Sequence, residues 1–235
     1  MQIKTFSVAT FALLFAASSA FADTIYTFIG NAGPNQQATA VFDFVDANNL
    51  TLTLANTGNI IDISSILDDF HFLLSGTPTS GSLVGTTSSE GQADCTGGAP
   101  CVVNAGADSN GTWGFFLTAA QVDMFSSGTQ IHPYGIANDS VLVNANLDGL
   151  SNTQHNPYLL GSATFDIDLV GLTSVPTISH VDFTFGTQPD HVAGVLCTPP
   201  NPNCVSRVTL PEPASAALVA LALLGMGFVR RRRQH

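Results

Sequence analysis

Six histidines, seventeen carboxylates and four cysteines are the groups in this 235-residue chain whose spacing can define a chemistry. The cysteines fall into two local pairs: Cys95 with Cys101 across Thr-Gly-Gly-Ala-Pro, and Cys197 with Cys204 across Thr-Pro-Pro-Asn-Pro-Asn. Four cysteines allow three connectivities. Proximity and the loop-rich spacers favour the two local bridges in an oxidising compartment. Closing so short a loop is worth about 2 to 2.5 kcal/mol in chain entropy, against roughly 4.7 kcal/mol for a loop near 100 residues. Such bridges pin loops more than they hold a fold. The alternative is a four-thiolate metal site, but neither pair has the shorter spacing of a zinc ribbon.

The histidines ahead of the C-terminus are His71, His132, His155, His180 and His191. None falls in a His-x₃-His or His-Glu-x-x-His pattern that would bring two imidazoles to one metal. His180 and Asp182 are two apart on one strand face, and the spacing predicts an outward polar pair that could hydrogen-bond. Among the carboxylates, Asp166 and Asp168 also share a strand face, and Asp68-Asp69 are adjacent. Either pair is a candidate source of the hard oxygens that Ca²⁺ requires. The solvated face of a strand explains Asp166 and Asp168 without any ion, so no cofactor is expected. A glycosidase needs two facing carboxylates, yet Glu90 is the only glutamate between residues 23 and 210 and lies in a Ser/Gly-rich stretch. There is no Gly-x-Ser-x-Gly elbow, and no glycine-rich phosphate loop follows a strand and opens a helix. No catalytic residue is therefore assigned.

Charge narrows the partners. Residues 23–210 carry sixteen acids and one base, Arg207, a formal charge of −15. Neutralising phosphates needs Lys and Arg on one face, so nucleic acid is excluded. Hydrophobic residues make up 45% of the chain and Phe alone contributes 16, which excludes an acidic disordered tail.

The elements that must position these groups are strands. Ala38, Ala40, Phe42 and Phe44 alternate with polar neighbours, as do Leu50, Leu52 and Leu54. Ala163, Phe165, Ile167 and Leu169 follow the same period of two, and so do Val181, Phe183 and Phe185. Thr24 to Ile29, Phe70 to Leu74, Trp113 to Leu117 and Val141 to Val143 are further strand candidates. Gly, Asn, Ser and Pro punctuate between them. One helix is predicted over 119–126, with Thr118 as cap, Gln121 completing a capping box and Gly128 ending it. The expected fold is all-β, an antiparallel β-sandwich or jelly-roll-like ectodomain over 23–208. Trp113, Tyr26, Tyr134 and Tyr158 are the aromatic groups most suited to stacking on sugars, with a core role favoured for Trp113.

The two ends read as addresses. Residues 1–22 form a signal peptide: Lys4, an apolar run from Phe6 to Ala17, and Ala20-Phe21-Ala22 before Asp23. At the other end, 209–235, Pro211-Glu212-Pro213 precedes the uncharged stretch Ala214 to Val229 and then Arg230, Arg231, Arg232 and Arg233. Sixteen helical residues span about 24 Å, short of a hydrocarbon core of about 30 Å, a gap closed by local thinning and snorkelling Arg side chains. The arginines belong on the cytoplasmic side, which places the domain outside. An N-terminal signal helix and a C-terminal transmembrane helix thus flank the β domain.

This tail resembles the PEP-CTERM sorting signal of Gram-negative bacteria that make extracellular polysaccharide. The matching residues are Pro211-Glu212-Pro213, the Ala/Leu-rich helix with Gly225 and Gly227, and the Arg run. The resemblance implies recognition by exosortase, a membrane protease-transpeptidase that releases or transfers its substrate. More loosely, the body resembles a recurrent PEP-CTERM ectodomain type in Leu50-Thr51-Leu52-Thr53-Leu54, in Ile66 to Phe72 and in Phe183-Thr184-Phe185-Gly186-Thr187. That type implies no catalytic residues. The expectation is a non-enzymatic protein exported across the inner membrane, held transiently with its C-terminus cytoplasmic, and finally resident at the cell surface or in the extracellular polysaccharide. The alternative is a secreted carbohydrate-binding module, with or without Ca²⁺.

Overall fold

The computed structural model describes residues 24–106, 112–126, 133–186 and 190–198. The segments predicted to be a signal peptide and a sorting tail, with Pro211, Glu212, Pro213 and Arg230 to Arg233, lie outside the described residues. No helix among the described residues is long and apolar enough to cross a membrane.

The described residues are all-β apart from one short helix. In chain order the strands are β1 (Thr24–Asn31), β2 (Gln37–Phe44), β3 (Asn49–Asn56), β4 (Leu67–Leu74), β5 (Ser80–Ser88), β6 (Gln92–Asp94) and β7 (Val102–Asn104). They continue as β8 (Trp113–Thr118), β9 (Gln121–Ser126), β10 (Ile136–Ala137), β11 (Tyr158–Leu160), β12 (Ser162–Val170), β13 (Ile178–Phe185) and β14 (Asp190–Leu196). One short helix, α1 (Ser140–Asn144), and a 3-10 turn, Ile63–Ser65, complete the described elements.

The strands form one curled sheet. Its backbone order is β5-β12-β3-β2-β1-β14-β13-β4-β10-β11-β6-β7, with β9 also pairing β4 and β8 pairing β9. The curl brings the apolar faces of its two halves together. Phe42 of β2 meets Phe72 and Phe70 of β4 at ring separations of 4.9 and 5.9 Å, and Trp113 of β8 meets Phe165 of β12 at 4.9 Å. The period-two residues predicted to point inward do so: Phe42, Leu52, Leu54, Phe165 and Phe183 are fully buried. Each buried Phe or Leu contributes about 1.5–3 kcal/mol of transfer free energy, which is why the alternation dictates the fold.

The turn between the halves is made by β14. Its first part pairs with β13, through Thr184↔His191 and Asp182↔Ala193, and its second part with β1, through Gly30↔Gly194. A Cβ on Gly30 would stand 2.5 Å from the Phe183 ring. Glycine at this pair lets the two backbones close over a core phenyl group.

Two local expectations are corrected. Residues 119–126 are not a helix; β8 and β9 form a hairpin around Ala119 and Ala120, with Thr118 opposite Gln121 and Ala119 at φ 55°. The cap-like Thr118 and Gln121 are outweighed by alternation, since Val122 and Met124 reach the core only from a strand. Conversely, Val141 to Val143 belong to α1 and not to a strand. Asn138 Oδ1 accepts from the Ser140 amide at 3.0 Å and opens the turn, and Val141 and Ala145, four apart, are both buried.

A second, smaller core lies under the β6, β11 and α1 region, where Ile60, Ala93, Cys95, Val141, Leu150 and Tyr158 pack together. Cys95 and Cys101 form the first predicted disulfide. Buried Asn156 fastens it: its Oδ1 accepts from the Cys95 amide at 2.7 Å, and its Nδ2 donates to the carbonyls of Leu150 and Asn152. Cys197 follows β14, whereas Cys204, its predicted partner, lies outside the described residues.

Candidate functional site

Successive residues of a strand point to opposite faces, so the core on one side of β4 implies a chemically distinct row on the other. Asp69, His71 and Leu73 form that outer row. Across β4, β9 places Asp123 opposite His71 and Phe125 opposite Asp69. On the other flank, β13 places Asp182 opposite His71 and Thr184 opposite Asp69. Beyond it, β14 sets His191 beside Thr184 and Ala193 beside Asp182. At the edge, β8 sets Phe116 beside Asp123 and Gly114 beside Phe125.

Two parallel rows therefore cross five strands. One runs Phe116, Asp123, His71, Asp182, Ala193; the next runs Gly114, Phe125, Asp69, Thr184, His191. The side chains interlock. His71 Nε2 lies 2.9 Å from Asp182 Oδ2, with both side chains about 30% exposed or slightly less, at 27% and 30%. The His71 and His191 rings stand 5.5 Å apart, and Thr184 Oγ1 is 3.4 Å from His191 Nδ1. Gln121 Nε2 donates to Asp123 Oδ1 at 2.7 Å.

The aromatic members stack. Phe116 and Phe125 lie 5.5 Å apart with planes inclined by only 21°, and Phe116 is 61% exposed. Phe125 settles over Gly114, where a Cβ would collide with its ring. Phe125, but not Phe116, also borders an open depression of about 220 Å³ whose lining includes Asp69, His71, Asp123, Thr184 and His191.

The remaining carboxylates sit elsewhere. Asp68 and Asp69 were candidates for a shared cation, but alternation sends them to opposite faces. Asp68 is buried, accepts from Ser126 Oγ at 3.3 Å, and has its pKa raised well above the usual carboxyl range by burial and then by the charge of Asp69. Asp166 and Asp168 point to solvent from β12, on the far half of the sheet, and Asp166 Oδ1 accepts from Thr51 Oγ1 at 3.1 Å. Among the described residues no group of three or more His, Cys, Asp or Glu side chains converges as metal ligands would. Glu90 has Asp139 as its carboxyl neighbour, which raises the Glu90 pKa by hydrogen bonding and by its charge.

His180 does not bind Asp182. His180 stands at φ 48° where the register of β13 shifts, off the regular strand, and His71 takes the Asp182 carboxylate at 2.9 Å. Of the predicted stacking aromatics, Trp113 is buried, with Nε1 donating to the Tyr134 carbonyl at 3.0 Å, and Tyr158 is buried, donating to the Leu150 carbonyl at 2.9 Å. Tyr26 and Tyr134 pack against the core. The exposed stacking surface comes from Phe116 and Phe125, which the sequence reading missed. Their signal was present: Phe116 is out of phase with Trp113, Phe115 and Leu117.

No family model, curated protein or solved structure matches the chain at a significant level.

Proposed function

We propose that this chain is an exported, non-enzymatic surface or extracellular-matrix protein, sorted by an exosortase-type protease and associated with extracellular polysaccharide. The observation that carries the reading is the order of the tail: Pro211-Glu212-Pro213, sixteen uncharged residues, then Arg230 to Arg233, behind a chain that opens with a signal-peptide pattern. The β domain is in this reading a jelly-roll-like sandwich that works through its surface. Its charge of −15 keeps it soluble outside the cell and sets its response to salt.

A second reading is favoured by one feature, the stacked Phe116 and Phe125 beside a polar row. It makes the domain a carbohydrate-binding module, in which Ca²⁺ at Asp166 and Asp168 is an optional addition. Neither reading needs a cofactor.

Fractionation of cells producing the full chain, against a variant with Pro211→Ala, Glu212→Ala and Pro213→Ala together, tests the favoured reading. The full chain should reach the polysaccharide fraction, and the variant should accumulate uncut in the inner membrane. Identical distribution of the two would overturn sorting by this tail.

A further inference from the structure

We propose that the outer-face depression, with Phe125 in its wall and the exposed Phe116 stacked on Phe125, binds the pyranose rings of a non-acidic saccharide, an inference that rests on the polysaccharide reading above and gives it a site. The aromatic pair is the first argument. The inward side of β8 already supplies Trp113, Phe115 and Leu117 to the core, so the outward Phe116 is not required there. An exposed phenyl ring stacked on a second at 21° presents a flat apolar strip at a sheet edge. The C–H face of a pyranose covers such a strip and leaves the hydroxyl groups around the ring edge free to hydrogen-bond.

The groups beside the strip suit those hydroxyls. Asp123 lies next to Phe116 in one row and Asp69 next to Phe125 in the other, with His71 and His191 behind them and the buried Thr184 hydroxyl beneath, 3.4 Å from His191 Nδ1. Carboxylates accept only, whereas a neutral imidazole both donates and accepts, matching the mixed capacity of a sugar hydroxyl. Two strand spacings, about 10 Å, separate β8 from β4. The ring and its polar edge thus meet different strands of one rigid sheet.

Size and charge select the ligand. At about 220 Å³ the depression is smaller than the pockets of about 300–1,000 Å³ that enclose drug-sized molecules. It is open, so a polymer can lie along the face with one ring seated. Asp69, Asp123 and Asp182 all stand on this face, and no Lys or Arg occurs among the described residues. A uronic acid or a phosphorylated chain meets repulsion with no compensating cation, while a neutral or amino sugar does not.

Isothermal titration of the full chain in detergent micelles, using hexasaccharides of glucose, of glucosamine and of a uronic acid, tests the site. At least one of the first two should bind and the third should not. Phe116→Ala should weaken that binding about tenfold with an unchanged melting temperature, Phe125→Leu should do the same, and Val84→Ala, an exposed control on β5, should have no effect. Binding of glucosamine that survives Phe116→Ala would mean charge attraction alone and would overturn the site. So would binding of the uronic acid, or no binding by either non-acidic sugar. These results leave the sorting reading untouched, because that reading is decided by tail processing.

Discussion

Asp182 faces His71, at 2.9 Å, because His180 is an extra residue in β13. Ser179 pairs with Leu73, but the next registered pair is Asp182 with His71, so two residues of β13 oppose Phe72 alone. Without this bulge Val181 would stand opposite His71, and Asp182 would turn into the core opposite Phe70. A one-residue slip exchanges the faces of a strand, and the bulge spends that slip where it builds the outer row. The His71–Asp182 contact itself contributes little, because both partners are partly solvated; a double-mutant cycle with His71→Ala and Asp182→Ala should give a coupling below about 1 kcal/mol. A coupling of several kcal/mol would show that the pair, and not the bulge, holds the register.

The bulge residue carries the strain. His180 has φ 48°, the left-handed region in which a side chain costs about 1–2 kcal/mol. His180→Gly should therefore leave stability unchanged or raise it by up to about 1 kcal/mol. His180→Val, β-branched in the same conformation, should lower it by more than 1 kcal/mol or so. Urea denaturation of both variants decides the matter; equal stabilities would contradict a left-handed bulge.

Core and outer face should respond oppositely to the same truncation. Phe42 is buried at the meeting of both halves of the sheet, and Phe42→Ala should cost about 3–5 kcal/mol. Phe116→Ala, at an exposed edge, should stay within about 0.5 kcal/mol.

Asp68 gives the fold a pH dependence of definite sign. Its pKa is raised in the folded state, so the folded protein holds a proton that the unfolded chain releases. Stability from this group is complete below the unfolded carboxyl pKa of about 3.9 and declines as pH rises toward the folded pKa, by up to about 1.4 kcal/mol per pH unit. Asp68→Asn removes the titration. Its stability relative to the parent should increase from pH 4 to pH 7; a constant difference would mean that Asp68 is not protonated in the fold.

The disulfides can be read chemically. Non-reducing peptide mapping of exported protein should find Cys95 linked to Cys101 and Cys197 linked to Cys204, each within one short fragment. Replacing Cys95 and Cys101 together by Ala should cost about 2 kcal/mol. Free thiols at all four positions after export would contradict both bridges.

Alternation in the sequence was sufficient for β2, β3, β12 and most of β13, because each buries one complete face and the period of two is uninterrupted. It failed at β5, Ser80–Ser88, where Thr86 is the only fully inward residue of an edge strand rich in Gly and Ser. It failed also at residues 119–126, where a local capping pattern competed with a hairpin whose reward is tertiary. The outer-face site was illegible for a different reason. His71, Asp123, Asp182 and His191 are brought together by strand order, by the β14 crossing and by one bulge, none of which leaves a short-range spacing. The outward phases of Asp182 and Phe116 within their strands were legible, but not what those side chains would meet.

Intact mass of the protein recovered from the host's cell surface tests the central claim most directly. Export and sorting as proposed predict a chain that starts at Asp23 and lacks Ala214 to His235. Surface protein that still carries Arg230 to Arg233 would contradict it.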